Sequence, residues 1–253
     1  MYRHEAMRVY TDKLVDVADI TQASKIIDTG LHTVFAEVPE SQLTAEPLLL
    51  CNFTNGLDSD KIYAEVKSIE SISEILNEAL ANYNEQYAVM KLVLFNDAIC
   101  HVLRICRILD IPRGNGLLIG TGGSGKQSLS RLAAFLCKYD VSQIILRKGY
   151  GIVDLKAHFN MLFTRAALKN MPYVFLMTDA QVADEAFLVC INDFLASGSI
   201  PGLFTEEETE TIINGLRGEV KSMGFIDNNE NCWNYFIDKV RKQLRVSAMA
   251  WHD

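Results

Sequence analysis

A glycine-rich loop that ends in lysine is the part of this sequence best suited to chemistry. The seven residues Gly120-Thr-Gly-Gly-Ser-Gly-Lys126 follow a short apolar run and precede a helical pattern. Glycines let a backbone wrap around a phosphate, and a helix N-terminus points its N–H groups at the anion. A lysine in this place reaches the β- and γ-phosphates. The sequence therefore predicts a site for ATP or ADP, contacted by Gly120, Thr121, Gly122, Gly123, Ser124, Gly125, Lys126, Gln127 and Ser128.

The residue after the lysine departs from the usual phosphate-loop pattern. A serine or threonine is expected there to coordinate Mg²⁺, but the sequence has Gln127, with Ser128 one position later. We expect Ser128 to be a magnesium ligand, although it lies about a third of a turn around the helix from the usual position. Glutamine in place of serine or threonine is therefore expected to impair ATP hydrolysis more than ATP binding.

An apolar strand that ends in aspartate is the second half of such a site. The run Tyr173-Val-Phe-Leu-Met-Thr-Asp179 has this form, and it predicts that Asp179 holds Mg²⁺ and takes part in catalysis. Hydrolytic sites of this kind usually place glutamate next, whereas Ala180 follows here. Gln181 is then the nearest candidate to orient a water, but its amide cannot take the proton. A core strand that ends in a surface aspartate is the alternative interpretation.

Other charged and titratable residues have simpler explanations. Asp184, Glu185 and the run Glu206-Glu-Glu208 precede helical patterns, where acidic side chains are favourable at helix N-termini. His101 and His158 lie within helical patterns without a second ligand at metal-binding spacing. These residues are therefore not predicted to form a catalytic or metal site.

Composition limits the classes of function. The 253 residues are 49% hydrophobic and carry a net charge of −8, which argues against an extended nucleic-acid surface. No stretch is long and apolar enough to span a bilayer, so no membrane partner is expected. The six cysteines form no C-x-x-C pair, which favours a reducing, intracellular setting in the cytoplasm.

The hydrophobic pattern predicts a helical segment followed by an α/β domain. Helices are expected within residues 1–35, from Ser68 to Leu80, and over residues 89–109. Short apolar runs then alternate with helices, which is typical of a parallel sheet with crossover helices. The predicted strands are 117–119, 143–146, 173–178 and 245–249, and the predicted helices are 126–138, 152–169, 184–196, 207–222 and 232–243.

Several runs resemble one family, the axonemal dynein heavy chains. The runs from Arg113 to Ala134, from Phe175 to Val182 and from Ile191 to Phe204 are similar to the fourth AAA+ module of those chains. Arg147-Lys-Gly-Tyr150 and Asn231-Cys-Trp233 look most like the outer-arm β-type heavy chains. The glutamine after the loop lysine is itself typical of that module.

The resemblance implies a P-loop AAA+ three-layer sandwich with a parallel sheet, preceded by a helical segment. Residues 1–60 would be the tail of the third module's small helical subdomain and a linker. Residues 61–253 would be the large subdomain, incomplete at the C-terminus, because Ser247–Asp253 departs from the family pattern before the last strand and the lid. We expect one edge of the strand at residues 117–119 to be bare as a result.

The implied function is that of an ATP-binding module in the ATP-driven microtubule motor of cilia and flagella. Because of Gln127 and Ala180, a regulatory nucleotide site is favoured over an actively hydrolysing ATPase module. An unrelated P-loop kinase or GTPase is a third alternative. The implied partners are neighbouring AAA+ modules of the same heavy chain and, through other regions, dynein intermediate and light chains and microtubules. The implied location is the cytoskeleton of the ciliary or flagellar axoneme.

Overall fold

The structure, a computed structural model, describes residues 1–39, 43, 49–57 and 62–251. It divides into two compact units, Met1–Glu78 and Ala79–Asp253. The predicted domain boundary between residues 60 and 61 lies outside the described residues. The assignment of residues 1–60 to a preceding module therefore stays a prediction.

The first unit is mainly helical. Its described elements are α1 (Tyr2–Tyr10), α2 (Val17–Val34), β1 (Leu50–Cys51), β2 (Ala64–Glu65) and the start of α3 (Ile69–Gln86). Strands β1 and β2 pair antiparallel. Asp16 caps α2 by accepting a hydrogen bond from the Ala18 N–H at 2.8 Å, and the helical pattern within residues 1–35 forms the two helices α1 and α2. Arg3 of α1 and Asp28 of α2 form an ion pair at 2.7 Å.

The second unit contains the predicted alternation of strands and helices. It begins with the end of α3, and its remaining described elements are α4 (Asn96–Asp110), β3 (Gly116–Gly120), α5 (Lys126–Leu136), β4 (Asp140–Gln143), α6 (Ile152–Leu168), β5 (Tyr173–Thr178), a 3₁₀ turn (Asp179–Gln181), α7 (Glu185–Ser197), α8 (Glu206–Ser222), α9 (Asn229–Gln243) and β6 (Leu244–Trp251).

The four strands of this unit form one parallel sheet in the order β3-β6-β5-β4. Met249 of β6 lies opposite Leu118 of β3 on one side and opposite Thr178 of β5 on the other. Strand β3 is an edge strand of the described sheet, as expected for residues 117–119. Leu117 is 65% exposed and Ile119 is 62% exposed.

Helices cover both faces of the sheet. Tyr173, Phe175 and Met177 of β5 belong to the main apolar core, together with side chains of α6, α7 and α9. Val174 and Leu176 are also buried but alternate with them, so they point to the opposite face, which α5 contacts. Helix α4 packs against α5 on that side. The predicted α/β architecture, with a parallel sheet between two layers of helices, is therefore confirmed.

The helix predicted over residues 89–109 begins later than expected. Helix α4 starts at Asn96, and residues 87–95 have no regular structure. The Met90 N–H donates to Asn84 Oδ1 at 2.7 Å, and Asn84 Nδ2 donates to the Met90 carbonyl at 3.3 Å. These bonds hold the start of the segment away from a helix. Val89 and Val93 of this segment are 72% and 78% exposed.

The second strand was predicted in the wrong place. The sequence predicted residues 143–146 because three of those residues are apolar, whereas β4 is Asp140–Gln143. Strand β4 pairs only with β5, at the edge of the described sheet. An edge strand has no need to be apolar on both faces. The apolar run follows the strand instead, and Ile145 is 73% exposed.

Candidate functional site

The glycine-rich loop lies between β3 and α5, as predicted. Gly123 and Gly125 have φ values of +74° and +78°, which non-glycine residues adopt only with strain. A Cβ atom at Gly123 would meet nothing within 4 Å, so open space lies above the loop. Gly125 is the N-cap of α5, and no side chain caps the first N–H groups of the helix. A loop of this shape fits an anion at the helix N-terminus.

Lys126 is folded over the loop. Its Nζ donates to the Gly120 and Thr121 carbonyls, each at 2.7 Å, and to Ser124 Oγ at 3.2 Å. These contacts hold the ammonium group inside the arc of the loop. A phosphate above the loop would therefore meet both backbone N–H groups and a fixed positive charge.

The two residues after Lys126 differ in exposure. Gln127 is exposed and Ser128 is half-buried, and both lie in the first turn of α5. Hydroxyl and carboxylate oxygens are the ligands that Mg²⁺ prefers, so the chemistry of Ser128 and Asp179 fits this ion. The roles of Ser128 and Asp179 as magnesium ligands stay predictions.

Asp179 and the loop lie at the same edge of the sheet. Asp179 follows the last residue of β5, Thr178, and Gly120 is the last residue of β3. Strand β6 lies between β3 and β5, so the two chain segments are about two strand spacings apart, roughly 9–10 Å. Asp179 is the first residue of the 3₁₀ turn and is exposed. The sheet thus brings together the two halves that the sequence analysis paired.

Gln181 has its amide engaged within the protein. Its Oε1 accepts hydrogen bonds from the Thr178 N–H at 3.0 Å and the Thr178 hydroxyl at 3.3 Å. The same oxygen accepts from Gln143 Nε2 at 3.2 Å, and Gln181 Nε2 donates to the Ile144 carbonyl at 2.5 Å. The side chain therefore ties the 3₁₀ turn to the end of β4. Its predicted part in catalysis stays a prediction, and these contacts compete with any water for the amide.

A cleft opens beside this turn. Its volume is about 560 Å³, and Ala180, Gln181, Gln143 and Arg131 lie on its wall. Arg131 and Gln143 were not singled out in the sequence, because only the folding of β4 beside β5 places them here. The spacing of Thr178 and Gln181 did carry a signal, since threonine followed three residues later by glutamine is a capping-box pattern.

The acidic residues outside the loop have the helix-end roles that were predicted. Asp184 caps α7 by accepting from the Ala186 N–H at 2.8 Å. Thr205 and Glu208 form a capping box at the start of α8. Within residues 1–39, 43, 49–57 and 62–251, no group of three or more His, Cys, Asp or Glu side chains is arranged to hold a metal ion. Among the described helices, none is both long and apolar enough to cross a bilayer.

His158 contacts the sheet from α6. Ser142 Oγ and His158 Nε2 are 2.8 Å apart, and Phe175 packs beside the ring. Burial lowers the pKa of His158 below its ordinary value of 6.5. The folded protein therefore binds this proton less tightly than the unfolded chain does.

We expect the free energy of unfolding to decrease as pH falls from about 7.5 to 5.5. Neutral His158 makes its full contribution to the free energy of unfolding when the pH is above the pKa that His158 has in the unfolded chain. This contribution is lost as pH falls from there toward the lower pKa of His158 in the folded protein. Urea unfolding across this range would show it. His158→Gln should flatten the dependence, whereas His101→Gln, at an exposed position, should not. Equal slopes for all three proteins would contradict this account of His158.

Comparison with known families decides what kind of loop this is. Residues 90–250 match the family model described as the P-loop containing dynein motor region D4. The chain belongs to the dynein motor family. The match covers β3, the phosphate loop, Asp179 and almost all of the parallel sheet. An unrelated kinase or GTPase is thereby ruled out.

Similar curated proteins are dynein heavy chains. Over 98% of its own length, the chain is 53% identical to human dynein axonemal heavy chain 9. Over 97% of its own length, it is 52% identical to the ciliary dynein beta chain of Tripneustes gratilla. It is 42% identical over 97% to the flagellar outer arm dynein beta chain of Chlamydomonas reinhardtii. The chain spans about 6% of the length of each of these relatives. The predicted resemblance to axonemal, outer-arm β-type dynein heavy chains is confirmed.

Proposed function

We propose that this dynein segment binds ATP or ADP with Mg²⁺ at the Gly120–Lys126 loop, and that the site is regulatory rather than strongly hydrolytic. The contact of Lys126 with two loop carbonyls carries the binding half of the proposal. In this proposal the ammonium group meets the β- and γ-phosphates, and the uncapped N-terminus of α5 meets the same anion.

The turn after β5 supports a regulatory role. Ala180 stands where a hydrolytic site needs a carboxylate to accept a proton from water. The next carboxylate along the chain, Asp184, caps α7 instead. Gln181 shares its amide among protein partners, as described above, and cannot accept a proton. These features favour a site that holds nucleotide with slow turnover.

An actively hydrolysing module is the second candidate. It is favoured by Asp179, an exposed carboxylate directly beyond the strand that ends at Thr178. In that case Asp179 would act on the water, and Mg²⁺, when bound, would neutralise charge on the phosphates. In both candidates the segment would work within the ATP-driven microtubule motor of the axoneme. Its partners would be neighbouring AAA+ modules, with dynein intermediate and light chains and microtubules bound by other regions.

Replacing Asp179 by asparagine tests the magnesium half of the proposal. The change keeps the size of the side chain and removes its charge. We expect the gain in ATP affinity on adding Mg²⁺ to fall by about tenfold, because a charge-assisted contact is lost. Titration of fluorescent ATP with Mg²⁺ and with EDTA measures this gain.

Asp193→Asn is the matched control, since it removes a carboxylate from α7, away from the loop. It should leave the gain unchanged. The same gain in Asp179→Asn as in the unmodified chain would show that Asp179 does not hold the metal. Fast phosphate release that disappears in Asp179→Asn would instead favour the hydrolytic candidate.

A further inference from the structure

Two glutamine side chains connect the phosphate-loop helix to the turn that carries Asp179. We call Gln143 and Gln181 the glutamine bridge. Arg131 of α5 donates from Nη2 to Gln143 Oε1, and Gln143 Nε2 donates to Gln181 Oε1 at 3.2 Å. Gln181 Nε2 closes the path by donating to the Ile144 carbonyl at 2.5 Å. Three separate elements, α5, β4 and the 3₁₀ turn, are joined by this path.

The hydrogen bonds along this path all run in one donor-to-acceptor order, from Arg131 to Gln143 to Gln181. Arginine can only donate hydrogen bonds, so Gln143 must turn its oxygen toward Arg131 and its nitrogen toward Gln181. An amide has both a donor and an acceptor, which no carboxylate or ammonium group offers at neutral pH. Glutamine is therefore well suited to the position between Arg131 and Gln181.

The bridge holds the backbone on both sides of Asp179. Gln181 Oε1 also accepts from the N–H and the hydroxyl of Thr178, which is 6% exposed. The Val182 N–H donates to the Asp179 carbonyl at 3.0 Å, which closes the turn. Asp179 thus lies between two residues that the bridge fixes, although its carboxylate is exposed.

We propose that Gln143 is a positioning residue, which sets the place of Asp179 relative to the phosphate loop through Gln181. The inference rests on the proposed function, because it requires Asp179 to act on magnesium and nucleotide. Arg131 lies five residues after Lys126 on the same helix, so the bridge links the helix that follows the phosphate loop to the turn of Asp179. In this account Gln143 acts through its hydrogen bond to Gln181.

The test compares single and double variants of the whole chain, with the Mg²⁺-dependent gain in ATP affinity as the readout. Gln143→Ala should reduce this gain by about fivefold, the size expected for the loss of one hydrogen-bonded link, and leave affinity in EDTA unchanged. In the Asp179→Asn background, Gln143→Ala should have no further effect, because the residue it positions has lost its charge.

Two further variants separate positioning from simple loss of structure. Gln143→Glu keeps an acceptor for Arg131 but cannot donate to Gln181, so it should remain folded and behave as Gln143→Ala does. Ser142→Ala is the matched control, since it removes the neighbouring contact of β4 with His158 and should leave the gain unchanged.

The results distinguish three outcomes. The inference is supported if both Gln143 variants lower the Mg²⁺-dependent gain in ATP affinity and if Gln143→Ala has no effect in the Asp179→Asn background. The inference is overturned if Gln143→Glu leaves this gain unchanged, or if Gln143→Ala lowers it equally in the Asp179→Asn background. It is also overturned if Mg²⁺ does not affect the ATP affinity of the unmodified chain. Failure of the unmodified chain to bind ATP would overturn the proposed function as well, and is seen before any variant is made.

Discussion

Lys126→Ala is expected to lower ATP affinity by at least about 100-fold, equivalent to ~2.7 kcal/mol. The change removes the ammonium group that would meet the phosphates. It also removes the bonds to the Gly120 and Thr121 carbonyls and to Ser124 Oγ that shape the loop. Lys126→Arg should not rescue binding, because a planar guanidinium does not fit the space of a compact ammonium group.

The control for this prediction is Lys242→Ala, which removes one positive charge from an exposed position on α9. Its ATP affinity should equal that of the unmodified chain. Isothermal titration with ATP, together with circular dichroism to verify folding, makes the comparison. If Lys126→Ala were folded and bound ATP as tightly as the unmodified chain, the phosphates would not lie over this loop.

Gly114→Ala is expected to destabilise the second unit by about 3 kcal/mol or more. A Cβ atom at Gly114 would lie 1.7 Å from the Ile108 carbonyl oxygen and 3.0 Å from the Ile111 carbonyl oxygen. Both are backbone atoms at the end of α4, so the last turn of that helix would have to unwind. The preceding residue, Arg113, already has φ of +60°, which leaves this turn little freedom to adjust.

The matched control is Gly218→Ala on α8, where a Cβ atom would meet nothing within 4 Å. Alanine within a helix should raise stability there by roughly 0.5–1 kcal/mol. Urea unfolding of the two variants measures both effects. Strand β3 begins at Gly116, two residues after Gly114, and leads into the phosphate loop. The distortion caused by Gly114→Ala should therefore also weaken ATP binding. Equal stability of the two variants would show that the turn after α4 can adjust.

The phosphate loop could be predicted because its information is local. The glycines, Lys126 and the strand before them are adjacent in sequence, and the fold adds little to their arrangement. Asp179 was found for the same reason, as the end of the wholly buried strand Tyr173–Thr178. A motif within seven residues, between a strand and a helix, specifies its own geometry.

The glutamine bridge could not be predicted, because it depends on which strands are neighbours. Gln143 approaches Gln181 only because β4 pairs with β5, with Gln143 opposite Leu176. The misplaced prediction for β4 had assigned Gln143 to the start of the strand rather than its end. The start of α4 was predicted too early for a different reason. Local hydrogen bonds between the Asn84 side chain and the Met90 backbone hold the chain out of a helix, and the apolar composition of residues 87–95 does not reveal them.

The most direct test of the account is a single-turnover experiment on the unmodified chain with γ-labelled ATP and Mg²⁺. The central claim is that the Gly120–Lys126 loop retains nucleotide and that the turn of Asp179–Gln181 lacks an efficient base. We predict one ATP bound per chain, with phosphate released more slowly than bound nucleotide dissociates. Phosphate release that precedes nucleotide dissociation would contradict the regulatory assignment, and no retained ATP would contradict the nucleotide site itself.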